Sequence, residues 1–324
     1  CCARVWIDPV RCWSGGSRPR AAADPCQRTM AEDMPSISAP LLPQLLWSSY
    51  DKYDEEERAL HRYLHRRDIG GVACIAAVYC TIVYYAAPED VVLPEPPATV
   101  WGAQLFFTVV ALYNFYLTVY VVVKTAKETP DEFGVSSGPL GRYIWLTNQA
   151  IALLAVHHVT SLAAPWLSRR LVVGTYMAAI VLGGLGAFVT IQYCSLVRSH
   201  PENVKCNRVW ASRGVHLSII EDLRHVPQLT LALADVCILK HRSSLLLLRP
   251  SVLGILAIFG CYCLVYVGVL HANFALTGFW PYGLLKALGS SATRWAQFIV
   301  VQCSILSGFT FALLALPMLT PALW

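Results

Sequence analysis

The sequence predicts an all-α, polytopic transmembrane helix bundle, with six core helices and one extra hydrophobic helix on the N-terminal side. Three observations carry this. Of the 324 residues 56% are hydrophobic and only 14% charged, and the mean hydropathy is positive. Apolar runs near the ~20 residues needed to cross ~30 Å of hydrocarbon also follow one another along the chain. The twelve cysteines build neither a disulfide framework nor a metal site. Cys74, Cys80, Cys194, Cys237, Cys261, Cys263 and Cys303 lie in apolar runs and Cys206 in a basic loop, without ligand spacing, so they read as small buried hydrophobes. The formal charge of +5 is modest and the basic residues sit at segment ends, which argues for membrane lipids and against nucleic acid as partners.

Residues 1–50 are expected to be disordered. Within them residues 1–29 mix Cys, Arg, Trp, Gly and Pro without periodicity and resemble translated leader, with Met30 as candidate start and no signal-peptide pattern after it. Residues 51–68 pair an acidic with a basic run at helical spacing, which reads as a solvated or interfacial helix with i,i+4 ion pairs, or as a lipid or partner site. Seven apolar runs follow, near 69–87, 100–123, 143–166, 171–197, 214–239, 251–273 and 293–318. The first is short enough for an interfacial reading. Residues 51–99 are therefore a charged helix plus the extra hydrophobic helix, a segment through which protein partners could dock, and residues 100–318 are the six-helix membrane domain. Lys124, Lys127 and Arg142 against the acidic, Lys-free and Arg-free stretch before Val100 place the N-terminus in the cytoplasm. Arg198, Lys205, Arg208 and Arg213 agree, whereas Arg169, Arg170, Lys240, Arg242 and Arg249 oppose. Sustained heptads, internal repeats and a Gly-rich phosphate loop are all missing, so nucleotide binding has no foothold.

Two runs carry polar groups at membrane depth. The third opens with Thr147, Asn148 and Gln149 close inside Arg142. Thr147 could bond back to a carbonyl one turn earlier, and the two amides could tie neighbouring helices together. His157 and His158, at the far end of this helix, read as interfacial. The fifth run is different in kind. Glu221, Asp222, Arg224 and His225 fall within five residues, and Pro227 then removes a backbone donor and is expected to kink the helix. Ionisable groups in hydrocarbon are costly and face a bundle interior. Glu221 and Asp222, four and three residues before His225, share its face, so either could orient or charge the imidazole. Asp235 is ~80° off that face and reads as an interface or loop residue.

Thr147 and His225 both follow segment starts on the same side and therefore fall in the same half of the bilayer. A threonine hydroxyl becomes a nucleophile when a neighbouring base takes its proton, and histidine is suited to that near neutral pH. Such a pair among apolar helices suits acyl transfer from a lipid ester. Asn148, Gln149, Asn114 and Tyr113 are candidate supporting groups.

Three stretches resemble the family of androgen-induced gene 1 and androgen-dependent TFPI-regulating proteins: GRYIWLTNQAIAL, RHVPQLTLALAD and HANFALTGFWPYGLLKAL. The resemblance covers about residues 100–318 and keeps helix order. Members of that family include multi-pass membrane threonine hydrolases of fatty acid esters of hydroxy fatty acids. The resemblance therefore implies Thr147 as nucleophile, His225 as essential histidine and a lipid ester substrate; Glu221, Asp222, Asn148 and Gln149 are candidate supporting groups on the reading of the residues themselves, and no cofactor or metal is expected. The chain departs from the family pattern in carrying Glu221 and Asp222 just before the histidine and Trp280, Pro281 and Tyr282 in altered order. The expectation is an integral membrane hydrolase of lipid esters in the endomembrane system or plasma membrane. Its rival is a non-catalytic accessory subunit of a larger membrane complex whose same residues form structural hydrogen bonds. A transporter reading of Glu221, Asp222 and His225 lacks inverted repeats.

Overall fold

An apolar segment in lipid must satisfy its backbone internally, so each long run is expected to be one helix. A computed structural model describes residues 55–91, 93, 98–128, 141–201, 204, 207–208, 211, 217–278, 280 and 282–319. The N-terminal stretch expected to be disordered and the ion pairs expected within residues 51–68 lie outside the described residues and side chains. Among the described residues there is no strand. The long helices are α1 (Glu55–Ala86), α2 (Ala98–Glu128), α3 (Leu146–Leu167), α4 (Arg169–Gln192), α5 (Leu217–Ala234), α7 (Val252–Thr277) and α9 (Ala292–Leu319), with short α6 (Arg242–Leu247) and α8 (Gly283–Leu288) between. Helix α4 continues into a π-helical turn, Tyr193–Val197, and α5 into another, Asp235–Leu239. The charged stretch from Glu55 and the first apolar run are one continuous helix of 32 residues.

Six of these helices are long and apolar enough to cross a membrane, which makes this an integral, multi-pass membrane protein. Helix α5 is the exception, because Glu221, Asp222 and Arg224 occupy its first turns. Its polar groups are instead satisfied inside the bundle, and it still runs beside α4 for its whole length. Thr190 of α4 bonds the His225 backbone near one end, and Thr175 of α4 meets Lys240 at the other.

Contacts between side chains give the relative directions of the long helices. Tyr79 of α1 meets His157 of α3, while Gly71 approaches Tyr143, so α1 and α3 are parallel. Asn148 with Arg224 and His157 with Asp235 make α3 and α5 parallel as well. Tyr262 reaches Gln149 and Tyr266 reaches the Ile144 carbonyl, so α7 runs the other way. The seven long helices thus alternate up and down. The first end of the bundle carries the starts of α1, α3, α5 and α9; the second end carries their finishes.

Helices α3 and α4 form the centre. Burial covers 78% of the α4 span and 61% of the α3 span, against 11% for α1 and 17% for α7, whose outer faces remain for lipid. Glycine makes the central contacts possible. At Gly186 a Cβ would stand 2.9 Å from the Gln228 carbonyl oxygen of α5, and at Gly174 it would collide with the Val83 carbonyl of α1. Small residues at such crossings let membrane helices pack backbone to backbone. Gly174→Ala is expected to cost about 1–3 kcal/mol through overpacking. Thermal melting in detergent checks it, and an unchanged melting temperature would mean that α1 does not pack on α4 this way.

The cysteines depart from their expected burial. Cys74, Cys194 and Cys261 are exposed, whereas Cys263 is buried. On an outer helix face a thiol can meet lipid as a small hydrophobe, so apolar surroundings alone do not imply a core position.

Candidate functional site

Pro227 explains how α5 is held. Lacking an N–H, it leaves the Leu223 carbonyl four residues earlier without its helical donor. The side chain of Asn114 on α2 takes that place, donating from Nδ2 to Leu223 O at 2.6 Å and to Arg224 O at 3.1 Å. One turn on, the Thr190 hydroxyl of α4 sits within the helical ladder, donating to His225 O at 2.6 Å and accepting from Leu229 N at 3.1 Å. The backbone groups around Pro227 are therefore satisfied by two neighbouring helices, and the chain stays helical from Leu217 to Ala234. Asn114→Leu is expected to cost about 1–3 kcal/mol, the usual penalty for stranding a buried carbonyl. The melting temperature of the variant is the readout.

Held this way, α5 presents Arg224 toward α2 and α3 and His225 toward the end of α4, with Glu221 shared between them. Arg224 donates to Glu221 through Nη1, to Asn148 Oδ1 through Nη2 at 2.7 Å and to Thr118 Oγ1 through Nε at 3.4 Å. His225 is 7% exposed. Its Nδ1 donates to the Glu221 carbonyl at 2.7 Å, with a Glu221 carboxylate oxygen 3.3 Å away. Two acceptors at Nδ1 fix the proton there and leave the lone pair on Nε2. Nε2 has no hydrogen-bond partner among the described residues. The Tyr193 ring stacks on the imidazole with centroids 3.9 Å apart and planes 10° apart, and its hydroxyl donates to Asp222 Oδ1 at 2.9 Å. Asp222 also pairs with Arg198 at 2.8 Å. Of the two carboxylates expected beside His225, Glu221 therefore touches it, and Asp222 reaches it only through Tyr193.

Thr147 lies in the first turn of α3, half-buried. The amides of that turn lack intrahelical acceptors. Leu146 N–H donates to the Tyr282 hydroxyl at 2.9 Å, and those of Asn148 and Gln149 donate to Trp145 O at 3.1 and 3.2 Å. The Thr147 N–H is left without an acceptor among the described residues. Its hydroxyl forms no hydrogen bond to a carbonyl one turn earlier, nor to His225. The amides beside it do tie helices together. Asn148 accepts from Arg224, and Gln149 donates to Tyr143 O at 2.6 Å and accepts from Tyr262 at 2.8 Å. Since Asn148 and Arg224 are bonded, Thr147 and His225 stand at one depth, each next in sequence to a member of that pair. Tyr113 is exposed and stacks on Tyr116, away from this cluster. Tyr282, in the loop before α8, is half-buried, and its partial desolvation pushes its phenol above the usual range, keeping it neutral as a partner for the Leu146 amide.

A second polar cluster lies toward the other end of the bundle, and it corrects the interfacial reading of His157 and His158. His157 and His158 are fully buried rather than interfacial, because α1 and α2 pack over them. Asp235 is also buried, as the partner of His157 Nε2 at 2.5 Å, where the end of α5 meets α3. Tyr79 donates to His157 Nδ1 at 2.6 Å. Lys240 donates to Ser161 at 3.1 Å and Thr175 at 3.2 Å, with its ammonium 3.9 Å from Asp235 Oδ1.

Among the described residues no group of three or more His, Cys, Asp or Glu is arranged to hold a metal ion. Fold and site together define a multi-pass, all-α membrane protein with two buried polar clusters, one at each end of its central helices. In comparisons with known proteins, no family model, curated relative or solved structure matches the chain.

Proposed function

We propose that the chain is an integral membrane hydrolase of lipid esters in which Thr147 attacks the acyl carbonyl and His225 is the general base. The observation that carries this reading is the His225 tautomer. With Nδ1–H held by the Glu221 carbonyl, Nε2 offers a free lone pair, the form a base needs. Oγ of Thr147 adds to the carbonyl carbon, its proton passes to Nε2, and the same proton then goes to the departing alcohol oxygen. Water cleaves the acyl-threonine in a second cycle and releases the fatty acid. The unpaired Thr147 N–H, at the positive end of the α3 dipole, is the candidate donor to the developing oxyanion. The hydroxyl and imidazole are not bonded in this structure, and the reaction requires bound substrate to close that gap, as catalytic contacts often tighten only in the Michaelis complex. The motif resemblance to the androgen-induced gene 1 family supports a fatty acid ester of a hydroxy fatty acid as substrate. Lateral entry from the bilayer needs no soluble cofactor, and an endomembrane or plasma membrane supplies such lipids.

The test gives purified protein in liposomes a branched fatty acid ester and measures free fatty acid. Turnover above protein-free liposomes is expected; its absence with every ester tried would remove the reading. One set of observations favours the alternative of a non-catalytic accessory subunit docking through residues 51–99. Asn148, Gln149, Asn114 and Arg224 are all engaged in bonds between or within helices. Co-purification at fixed stoichiometry within a larger complex, with no turnover, is the outcome that reading expects.

A further inference from the structure

The hydrogen-bond inventory of the second cluster does not close with protein groups. Both ring nitrogens of His158 and the Oδ1 atom of Asp235 are buried and unpartnered. These groups lie near one another. The His157 and His158 rings are 5.5 Å apart, His157 bonds Asp235, and His158 lies within electrostatic reach of both Asp235 and Lys240. Lys240 has three N–H donors, and Ser161 and Thr175 take two. The third has Asp235 Oδ1 at 3.9 Å, too far for a direct hydrogen bond and close enough for a bridge.

We propose that His158, Asp235 Oδ1 and Lys240 form a binding site for buried water, which completes a network running from Tyr79 through His157 and Asp235 to Lys240 and His158. The Lys240 ammonium donates to such a water, Asp235 Oδ1 accepts from it, and one His158 nitrogen supplies a third contact, while the other His158 nitrogen, on the opposite side of the ring, calls for a second water. A water molecule accepts two hydrogen bonds and donates two, and buried waters typically make two to four. A larger ligand has no entry, since Tyr79, His157, His158, Ser161, Thr175, Asp235 and Lys240 are each at most 8% exposed. A metal cation is disfavoured because the Lys240 ammonium already faces the carboxylate. The completed network joins α1, α3, α4 and the turn after α5, and it stands whether or not the chain hydrolyses lipid esters.

His158→Phe and His158→Gln separate a hydrated histidine from a dry one. Phenylalanine keeps an apolar ring and binds no water, whereas glutamine keeps a donor and an acceptor. If water bridges the site, H158F is expected to melt about 3–6 °C below wild type and H158Q within about 2 °C of it. An H158F variant as stable as wild type, or more stable, is what an unhydrated buried imidazole predicts and overturns the proposal. Equal destabilisation in both variants points to shape alone and also overturns it. A map of the intact protein sharp enough to show waters should hold a peak within about 3.2 Å of a His158 nitrogen. A clear map without that peak contradicts the site.

Discussion

Thr147→Ala is expected to lower ester hydrolysis by at least about a thousandfold, because removing the nucleophile of a covalent mechanism removes the route and not merely a contact. His225→Ala is expected to lower it by about 10²–10⁴-fold, the usual contribution of a positioned general base. The reason to expect activity loss without unfolding lies in the surroundings of each residue. Thr147 is half-buried and its hydroxyl holds no partner among the described residues, so its truncation should stay within about 0.5 kcal/mol of wild-type stability. His225 is more embedded, stacked on Tyr193 and bonded to Glu221 O. His225→Gln is therefore the companion variant, since it keeps a polar side chain of similar reach but supplies no base. Thr147→Ser retains the hydroxyl and should retain measurable turnover. Thr147→Ala with undiminished turnover would place the nucleophile elsewhere.

Asp235→Leu is expected to be the most destabilising single change, at about 3–5 kcal/mol, because it leaves Lys240 buried without its counter-charge and His157 without its acceptor. The double variant Asp235→Leu with Lys240→Met removes both charges and should recover most of that loss, since replacing a buried ion pair by apolar groups is often close to neutral. Thermal melting of the two variants measures the difference. If the double variant is no better than the single one, the cost comes from lost packing or from His157, and the charge argument fails.

The fold could be read from the sequence because each long apolar run has only one stable backbone form in lipid, and this held for α3, α4, α7 and α9 within a few residues. The join between the charged stretch and the first run was not legible. Helical spacing continues through Asp68 and Ile69, and nothing in composition distinguishes one long helix from two. At the candidate site, Glu221, Arg224 and His225 announced themselves as charges inside an apolar helix. Their division of labour did not, because i+3 and i+4 spacing allows both Asp222 and Glu221 to face the imidazole. Only the Tyr193 ring and Arg198, from a helix distant in sequence, draw Asp222 away. The roles of Asn114 and Thr190 in bridging the backbone at Pro227 depend on tertiary contacts that no local pattern encodes.

The second cluster had a signal that went unused. His157 lies ten residues after Thr147, and Asp235 lies ten after His225. Two parallel helices aligned at the first pair must bring the second pair to one depth as well. Ten residues of regular helix turn Asp235 ~80° from the His225 face, and that turn sets it against His157 of α3 rather than beside Glu221 and Tyr193.

The central claim is a covalent bond between substrate and Thr147, and mass spectrometry after rapid quenching tests it most directly. Wild-type protein mixed with a slowly hydrolysed lipid ester should yield a peptide containing Thr147 heavier by the acyl group, and His225→Ala should yield far less of it. Turnover with no acyl group on that peptide, or an adduct on a different residue, would contradict the account.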